Sequence, residues 1–346
     1  MTSTSLALSV DILLACALLF KQTVDYYRGH GSHVFACFID FIKAFDYVNY
    51  WKLFCKLLDD NVSSIAVHVL AYWYSHQECF IRWRSCVSAG FYFSNGTRQG
   101  GVLSPYLFSR YIRNLVQDVS NSGIGCRIAD CAANMFVYAD DLVLLAPSWE
   151  ALQQLLTILH AHAIGIDMKV NVQKTVAMFF SPNRRAMVVA KEFPLFKVDD
   201  KCIQYVEQFK YLGHIRPITN NLTDDDDINR EIKKMFVRTN MLIRKFHNCS
   251  TDVKIMLFKT FCICLYDVTL WKTFKIGTFN KFRSCYSKCI KLFFNYKHCD
   301  SVANMLLVLG LPSFDTLLHN CNLRFTALLS NCKNDIVSHI FRYAMF

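Results

Sequence analysis

Short apolar runs alternate with amphipathic stretches along the first two thirds of the chain. Apolar runs bounded by turn-forming residues predict strands, whereas apolar positions three and four residues apart predict helices. The first predicted elements are a strand over 34–40, a helix with Leu53, Phe54, Leu57 and Leu58 on one face, a helix over 62–74, and strands over 79–83 and 89–93. A helix follows, capped by Ser104 with Pro105 at its first position and with Leu107, Phe108, Tyr111, Ile112 and Leu115 along one stripe. The last are a hairpin around 138–141, a helix bearing Leu152, Leu155, Leu156 and Leu159, and a strand over 175–180. This alternation predicts an antiparallel sheet backed by helices, an α+β fold.

One predicted hairpin carries two adjacent carboxylates at its tip. Tyr138-Ala139-Asp140-Asp141 lies between the apolar runs 134–137 and 142–145. Neighbouring carboxylates repel each other, and a bound cation is the natural compensation. Taken alone, the pattern favours an ordinary turn between two strands over a cation site.

A second carboxylate ends another predicted strand. Asp40 follows the apolar run that begins at Val34, within the segment 38–46. Two strand-end carboxylate sites are what two-metal phosphoryl transfer requires. Asp46, at the end of the same segment, is predicted to be structural and to cap the following helix.

The last third of the chain begins at an acidic run and is strongly basic. Thr223 followed by Asp224 to Asp227 predicts a helix with a solvated acidic first turn, with metal binding by the aspartates as the alternative. Residues 1–227 hold 20 Lys and Arg against 21 Asp and Glu, a net charge of −1, whereas residues 228–346 hold 18 against 6, a net charge of +12. Nearly all of the formal charge of +11 therefore belongs to the C-terminal third.

Aromatic residues are interleaved with these basic residues at helical spacing. They are Phe246, Phe258, Trp271, Phe282, Tyr286 and Phe293. The aromatic side chains favour the core of a helical bundle, because a helix buries its apolar stripe and exposes its charges. The net charge favours contact with the phosphate backbone of a nucleic acid.

Five blocks of the sequence, in this order, resemble motifs A to E of reverse transcriptases of non-LTR retrotransposons, the LINE-type elements that are CR1/L2- or jockey-like. The blocks are 38–46 with Lys43-Ala44-Phe45-Asp46 (A), 95–105 with Arg98-Gln99-Gly100-Gly101 (B), 138–141 (C), Asn171-Val172-Gln173-Lys174-Thr175 (D) and Phe209-Lys210-Tyr211-Leu212-Gly213 (E). Five blocks in order are far more specific than any one of them. The resemblance continues through 242–246, 254–265, Trp271 and 301–314, which look like the thumb region of these elements.

The resemblance implies a right-hand polymerase: an α+β palm with partial fingers and an α-helical thumb. It predicts a residual fingers or palm helix over 1–33, a palm with motifs A to E over 34–216 and a basic helical thumb over 217–346. Only 39 residues precede Asp40. Most of the fingers is therefore expected to be missing, as in an N-terminally truncated copy.

The resemblance also implies roles for single residues. Asp40 and Asp140 are expected to bind two Mg²⁺ ions, with Mn²⁺ as a possible substitute, and Asp141 to complete the metal site electrostatically. Lys174 is expected to give a proton to the leaving pyrophosphate, although an ordinary surface lysine is an equal alternative. The expected substrate contacts are Phe41, Phe45, Arg98, Gln99 and Gly100, with the Phe45 ring excluding a 2′-hydroxyl, and the expected primer grip is Tyr211, Leu212 and Gly213.

Two functions follow from these features. The first is an RNA-directed DNA polymerase, a nucleotidyltransferase that uses an RNA template, a DNA primer and deoxynucleoside triphosphates. The second is a catalytically incompetent remnant that only binds nucleic acid through its basic third. The carboxylates favour the first function, and the missing fingers favour the second.

Cysteine usage and hydropathy suggest an intracellular protein, in the nucleus or cytoplasm, that is not secreted and has no membrane partner. Sixteen cysteines without a CxxC pair predict reduced, mostly buried thiols. The spacing of Cys285, Cys289, His298 and Cys299 matches no common zinc site. The apolar stretch 6–20 is interrupted by Asp11 and is shorter than the roughly 20 residues of a membrane span, so it predicts a helix packed on the palm.

Overall fold

The computed structural model describes residues 10–98, 100–182, 193–207, 209–212, 214–216, 223–263, 265 and 268–331. The chain divides into two compact units between Val206 and Glu207. This division lies ahead of the predicted boundary at 216/217, so the hairpin over 209–216 belongs to the second unit.

The first unit alternates helices with strands, as the hydrophobic pattern predicts. Its elements are α1 (Val10–Gly29), β1 (Val34–Ile39), α2 (Tyr50–Asp59), α3 (Ser64–Ser75), β2 (Glu78–Cys79), β3 (Arg82–Trp83), β4 (Cys86–Val87), β5 (Phe91–Tyr92), α4 (Ser104–Tyr111), α5 (Arg113–Asn121), β6 (Arg127–Ile128), β7 (Cys131–Ala132), β8 (Met135–Tyr138), β9 (Asp141–Ala146), α6 (Trp149–Gly165), β10 (Val176–Phe180), β11 (Lys197–Val198), β12 (Lys201–Cys202) and β13 (Gln204–Tyr205). The predicted α+β class is confirmed.

A five-stranded sheet forms the centre of this unit. Its strand order is β13-β10-β1-β9-β8. The predicted antiparallel pairing holds for all neighbours except β10 and β13, which are parallel. A parallel pair requires a long crossover connection, and residues 181–203 between these strands are long enough to provide one.

The central strand β1 is buried along its whole length because helices cover both faces of the sheet. On one face, Phe20 of α1 packs against Phe38 and Phe180, with ring centroids 5.7 and 6.1 Å apart. On the other face, Phe35 and Ile39 share a core with the leucines of α6. The strand-end carboxylates are therefore attached to buried strands.

The helix predicted to open at Ser104 differs from the structure in two details. Its apolar stripe is buried as predicted, but it breaks at Ile112 into α4 and α5. Ser104 is the first helical residue rather than the cap. Its hydroxyl donates instead to the carbonyl of Arg98, which ties the helix to the preceding glycine-containing loop.

The second unit is a hairpin followed by helices. Its elements are β14 (Phe209–Tyr211), β15 (His214–Arg216), α7 (Asp225–Phe246), α8 (Thr251–Phe261), a 3₁₀ turn (Val268–Leu270), α9 (Ile276–Phe294), α10 (Val302–Leu309) and α11 (Phe314–Ser330). Its core contains the aromatic residues that the sequence places at helical spacing: Phe258, Trp271, Phe282, Tyr286 and Phe293 are buried, and Phe246 packs against them. The core interpretation of these aromatics is confirmed.

Two of the four aspartates at the start of α7, Asp224 and Asp227, are buried, whereas Asp225 is half-buried and Asp226 is exposed, so the predicted solvated first turn is only partly present. The cap residue is Asp224 rather than Thr223. Asp224 is 0% exposed, and its Oδ2 accepts hydrogen bonds from the backbone N–H groups of Lys272 and Thr273 at 2.8 and 3.0 Å. The loop over 271–275 folds onto the helix N-terminus, where the aspartates accept hydrogen bonds from its N–H groups.

Two further aspartates join this contact, which we call the acidic clasp: Asp224, Asp225 and Asp227 against residues 271–275. Asp225 Oδ1 accepts from the N–H of Lys275 at 3.0 Å. Asp227 Oδ2 accepts from the indole Nε1 of Trp271 at 2.9 Å. The aspartates therefore hold a loop of the helical unit, which accounts for them without a metal ion.

The cysteines of the described residues are free thiols, as predicted. Six of them are buried, whereas the others are exposed or intermediate, so the prediction that most are buried is wrong. Over the same residues, none of the helices is by itself long and apolar enough to cross a membrane, although α10 and α11, bent by 57°, meet the criteria of length and composition as a pair.

Candidate active site

The predicted carboxylate hairpin is present, and its turn is as short as a hairpin allows. Tyr138 pairs with Asp141, so Ala139 and Asp140 are the two turn residues. Ala139 has φ of +55°, a left-handed conformation that costs a non-glycine residue roughly 1–2 kcal/mol. The buried apolar residues of β9 hold this turn in place, and Asp140 is exposed at its tip.

Asp40 lies at the same edge of the sheet. Ile39 pairs with Leu142 at the end of the β1–β9 ladder, and Asp40 and Asp141 are the next residues on the two strands. Desolvation, followed by the charges of Asp140 and Asp40, raises the pKa of Asp141 to about 6. The three carboxylates are thus close enough to repel one another, although Asp141 as a whole residue is exposed.

This carboxylate edge, Asp40 with Asp140 and Asp141, has the chemistry of a site for a hard divalent cation. Among the residues that the structure describes, no group of three or more His, Cys, Asp or Glu side chains is arranged to hold a metal ion by itself. Mg²⁺ is commonly bound by one or two carboxylates together with water and substrate phosphates rather than by a complete protein cage. The carboxylate edge therefore fits a cation that the protein binds through few ligands, with water and substrate phosphates completing its coordination. A proton on Asp141 would compete with such a cation below about pH 6.

A loop after α6 surrounds Asp40, and sequence reasoning did not identify its contacts. Asn171 Nδ2 donates to Asp40 Oδ2 at 3.0 Å, and the Asn171 N–H donates to the Asp40 carbonyl at 2.8 Å. The Asp40 N–H donates to Thr175 Oγ1 at 3.2 Å. Lys174, between these two residues, is exposed beside the site. In the sequence, the only indication that Asn171 and Thr175 belong to the site is that they flank Lys174, a predicted site residue.

Phe45 lies where the first carboxylate segment meets the glycine-containing loop. Its ring stacks on Phe108, with centroids 4.5 Å apart and planes at 27°, and it is partly buried. Its carbonyl accepts from the N–H of Thr97 at 2.8 Å. Phe41 is only 7% exposed and packs in the core, and its role as a substrate contact stays a prediction.

The glycine-containing loop before α4 is tied to the segment after Asp40. The Gly96 N–H donates to the Val48 carbonyl at 2.8 Å, and Gly96 has φ of +95°. A Cβ there would lie 2.9 Å from the Asp46 carbonyl oxygen, so only glycine fits. Asp46 itself does not cap α2: that role belongs to Asn49, whose side chain accepts from the N–H groups of Trp51 and Lys52.

The predicted substrate residues of this loop are on the surface. Arg98 is exposed, with Nη2 3.4 Å from Cys79 Sγ. Gly100 has φ of +83° with open space around it, and Gln99 lies outside the described residues. The loop therefore presents backbone and one guanidinium to solvent.

The predicted primer grip forms the β14–β15 hairpin of the second unit. Tyr211 and Leu212 are each 7% exposed, and Leu212 has φ of +50° in the turn. Gly213 lies outside the described residues. The role of this hairpin at a primer terminus stays a prediction.

Comparison with known families identifies the first unit together with the β14–β15 hairpin that follows it. The profile of the family described as "Reverse transcriptase (RNA-dependent DNA polymerase)" matches residues 10–216. This match covers well over half of the chain and contains all five predicted blocks.

Curated relatives are polyproteins of retrotransposable elements. The chain is 26% identical over 197 residues to the "Retrovirus-related Pol polyprotein from type-2 retrotransposable element R2DM" of Drosophila melanogaster, covering 55% of this chain and 18% of that protein. It is 22% identical over 234 residues to the "RNA-directed DNA polymerase from mobile element jockey" of Drosophila funebris, covering 65% of this chain and 24% of that protein. The chain thus spans about a quarter or less of the length of these relatives.

Solved structures that superpose on this chain include telomerases in complex with a TWJ fragment of telomeric RNA. That of Candida tropicalis has a TM-score of 0.40 at 11% identity, covering 93% of this chain and 51% of that chain. That of Candida albicans has a TM-score of 0.37 at 14% identity, covering 97% and 58%. At these scores the likeness carries no further conclusion.

Proposed function

Because the chain belongs to the reverse transcriptase (RNA-dependent DNA polymerase) family, we propose that it adds deoxynucleotides to a DNA primer on an RNA template, as the polymerase core of a non-LTR retrotransposon protein. The family assignment confirms the sequence prediction of a reverse-transcriptase palm. The activity, the substrates and the metal ions are the proposal.

The observation that carries the proposal is the carboxylate edge. Asp40 and Asp140 would hold the ions, and Asp141 would keep the edge negative at neutral pH, since its pKa of about 6 leaves it ionised there. Two Mg²⁺ ions, or Mn²⁺ in their place, would activate the primer 3′-hydroxyl and neutralise the triphosphate. The packed strands behind the edge keep the carboxylates in place without further rearrangement.

The other predicted residues are assigned roles that their side-chain chemistry allows. The Phe45 ring would lie under the incoming sugar and exclude a 2′-hydroxyl. Arg98, Gln99 and Gly100 would contact the nucleotide and template, because an exposed guanidinium and a glycine backbone can both approach phosphate closely. Lys174, exposed beside Asp40, would protonate the departing pyrophosphate.

The first testable prediction is that Asp140→Asn lowers kcat for primer extension by about 10²- to 10³-fold or more, because the amide keeps the shape of the side chain and removes its charge. The measurement is Mg²⁺-dependent extension of a DNA primer on an RNA template by the full chain.

The chain offers a matched control for this variant. Ala129 and Asp130 form an equivalent two-residue turn between β6 and β7, with Ala129 at φ of +50° and Asp130 exposed. Asp130→Asn should extend the primer as the wild type does. Equal activity of Asp140→Asn and wild type would contradict the proposal. Nucleic-acid binding without extension by any variant would favour the alternative function, a remnant that only binds.

A further inference from the structure

The loop over 169–175 contacts every polar group of Asp40 except one carboxylate oxygen. Its backbone carbonyl and N–H are engaged by Asn171 and Thr175, at 2.8 and 3.2 Å. Its Oδ2 accepts from Asn171 Nδ2 at 3.0 Å, between residues 131 positions apart in the chain. The structure gives Asp40 Oδ1 no such partner among the described residues.

The loop is itself well anchored, so its side chains have defined positions. The N–H groups of Lys174 and Thr175 both donate to the Asn171 carbonyl, at 3.1 and 2.9 Å. Thr175 is 1% exposed, and Phe41 forms a β-bridge with Val170. Asn171 is therefore held by its own main chain whether or not its side chain is present.

The side-chain amide of Asn171 is a neutral hydrogen-bond donor to the Asp40 carboxylate. An ionised carboxylate only accepts hydrogen bonds, so the NH₂ end of the amide must face Asp40. The terminal torsion of an aspartate is broad, and a carboxylate with no partner samples many orientations. A neutral donor fixes the orientation without cancelling the negative charge, whereas a lysine or arginine would cancel it.

We propose that Asn171 is a positioning residue, whose amide holds Oδ2 of Asp40 so that Oδ1 is presented to a divalent cation at the carboxylate edge. The inference rests on the proposed function, since it assigns Asp40 to the metal site. It adds a residue that makes no contact with the reacting atoms and acts only through Asp40.

The test is direct Mn²⁺ binding to the whole chain in the absence of nucleic acid, monitored by the electron paramagnetic resonance of free Mn²⁺. Only the binding that Asp140→Asn abolishes is assigned to the site. Asn171→Ala retains the backbone contacts and loses the amide. We expect its half-saturating Mn²⁺ concentration to rise about 10-fold, the low end of the effect of removing a hydrogen-bond partner from a metal ligand.

Gln173→Ala is the matched control, because Gln173 is an exposed amide side chain in the same loop. It should bind Mn²⁺ as the wild type does. Thermal unfolding of both variants reports on loop integrity. Asn171→Ser, which retains turn-forming chemistry but ends short of Asp40, replaces Asn171→Ala if that variant unfolds, and should show the same weakening.

The outcomes distinguish this inference from the proposed function. Wild-type chain without site-specific Mn²⁺ binding would contradict the metal site itself. Site-specific binding that is unchanged in Asn171→Ala, or weakened equally in Gln173→Ala, would overturn the positioning role. A selective weakening in Asn171→Ala, without a comparable loss of thermal stability, would establish it.

Discussion

At the scale of single residues, the carboxylates of the carboxylate edge repel one another, which disfavours the folded state, and the same negative charge is what the proposed cation site requires. Asp141 is surrounded closely enough, by protein atoms and by Asp140 and Asp40, that its pKa rises to about 6. Replacing it by asparagine would relieve this repulsion and would also remove negative charge from the proposed cation site. Opposite effects on stability and activity are typical of functional sites.

Phe45 provides the prediction at this scale. Phe45→Val should raise ribonucleotide incorporation relative to deoxynucleotide by about 10- to 100-fold, since a misfit of this size in a pocket is worth about 1–3 kcal/mol. The ring also stacks on Phe108, so the variant will lose some stability. The measurement is therefore the ratio of kcat/KM for the two sugars, which is independent of the amount of folded protein.

Tyr47→Val is the control for Phe45, because Tyr47 is an exposed aromatic residue two positions further along the same turn. It should leave the ratio unchanged. A ratio that is also unchanged in Phe45→Val would mean that the ring serves packing alone.

At the scale of secondary-structure elements, the acidic clasp joins the start of α7 to the loop before α9. Desolvation alone would raise the pKa of Asp225, but hydrogen bonds from Thr223, Thr278 and the Lys275 N–H outweigh it and lower the pKa. A carboxyl with a lowered pKa stabilises the fold above its unfolded-state pKa of about 3.9, and this contribution is lost as the pH falls through the folded-state value. The helical unit should therefore lose stability in acid.

Asp224→Ala tests the clasp. It leaves the N–H groups of Lys272 and Thr273 without their acceptor, which should destabilise the helical unit by about 2–4 kcal/mol. Hydrogen exchange followed by mass spectrometry should show faster exchange in α7 and α9 peptides, and little change in the strands of the first unit. Asp252→Ala, at an exposed position in the first turn of α8, should change the free energy of unfolding by less than about 1 kcal/mol. An equal loss in the free energy of unfolding in the two variants would show that the acidic clasp contributes no stability beyond the favourable charge of an aspartate at a helix N-terminus.

At the scale of the whole molecule, charge and aromatic residues of the C-terminal third have separated roles. The aromatic side chains form the core, whereas basic residues such as Lys281 and Lys288 of α9 are exposed on one helix face. These lysines belong to residues 228–346, which carry a net charge of +12. Such a surface is suited to tracking a phosphate backbone without reading its sequence.

The corresponding prediction concerns salt. Binding of the full chain to a primer–template duplex should show little sequence preference and should weaken steeply with salt, because each neutralised phosphate releases counterions. Lys281→Gln with Lys288→Gln should reduce the slope of log K against log salt by about 2 if both contact phosphates. Lys197→Gln with Lys201→Gln, exposed in the nearly neutral first unit, should leave the slope unchanged. Salt-insensitive binding would contradict a backbone-tracking role.

The sequence by itself determined the palm and the place of its carboxylates. Asp40 follows one apolar strand and Asp140 lies at the turn of a tight hairpin, and both features depend on neighbouring residues whose period and turn chemistry are visible in the chain. The buried stripe of α4 and the aromatic core of the second unit follow from helical spacing in the same way.

Only the tertiary structure decided which distant groups meet. Asn171 reaches Asp40 across 131 positions, and Asp224 accepts from an N–H group 48 positions away, although neither partner has a local pattern that points to the other. The parallel pairing of β10 with β13 is likewise a result of how the chain crosses over. Local spacing specifies periodicity and turns, whereas a buried carboxylate or N–H group finds its partner only after the elements have packed, because the cost of burying it unpaired is paid in the folded state alone.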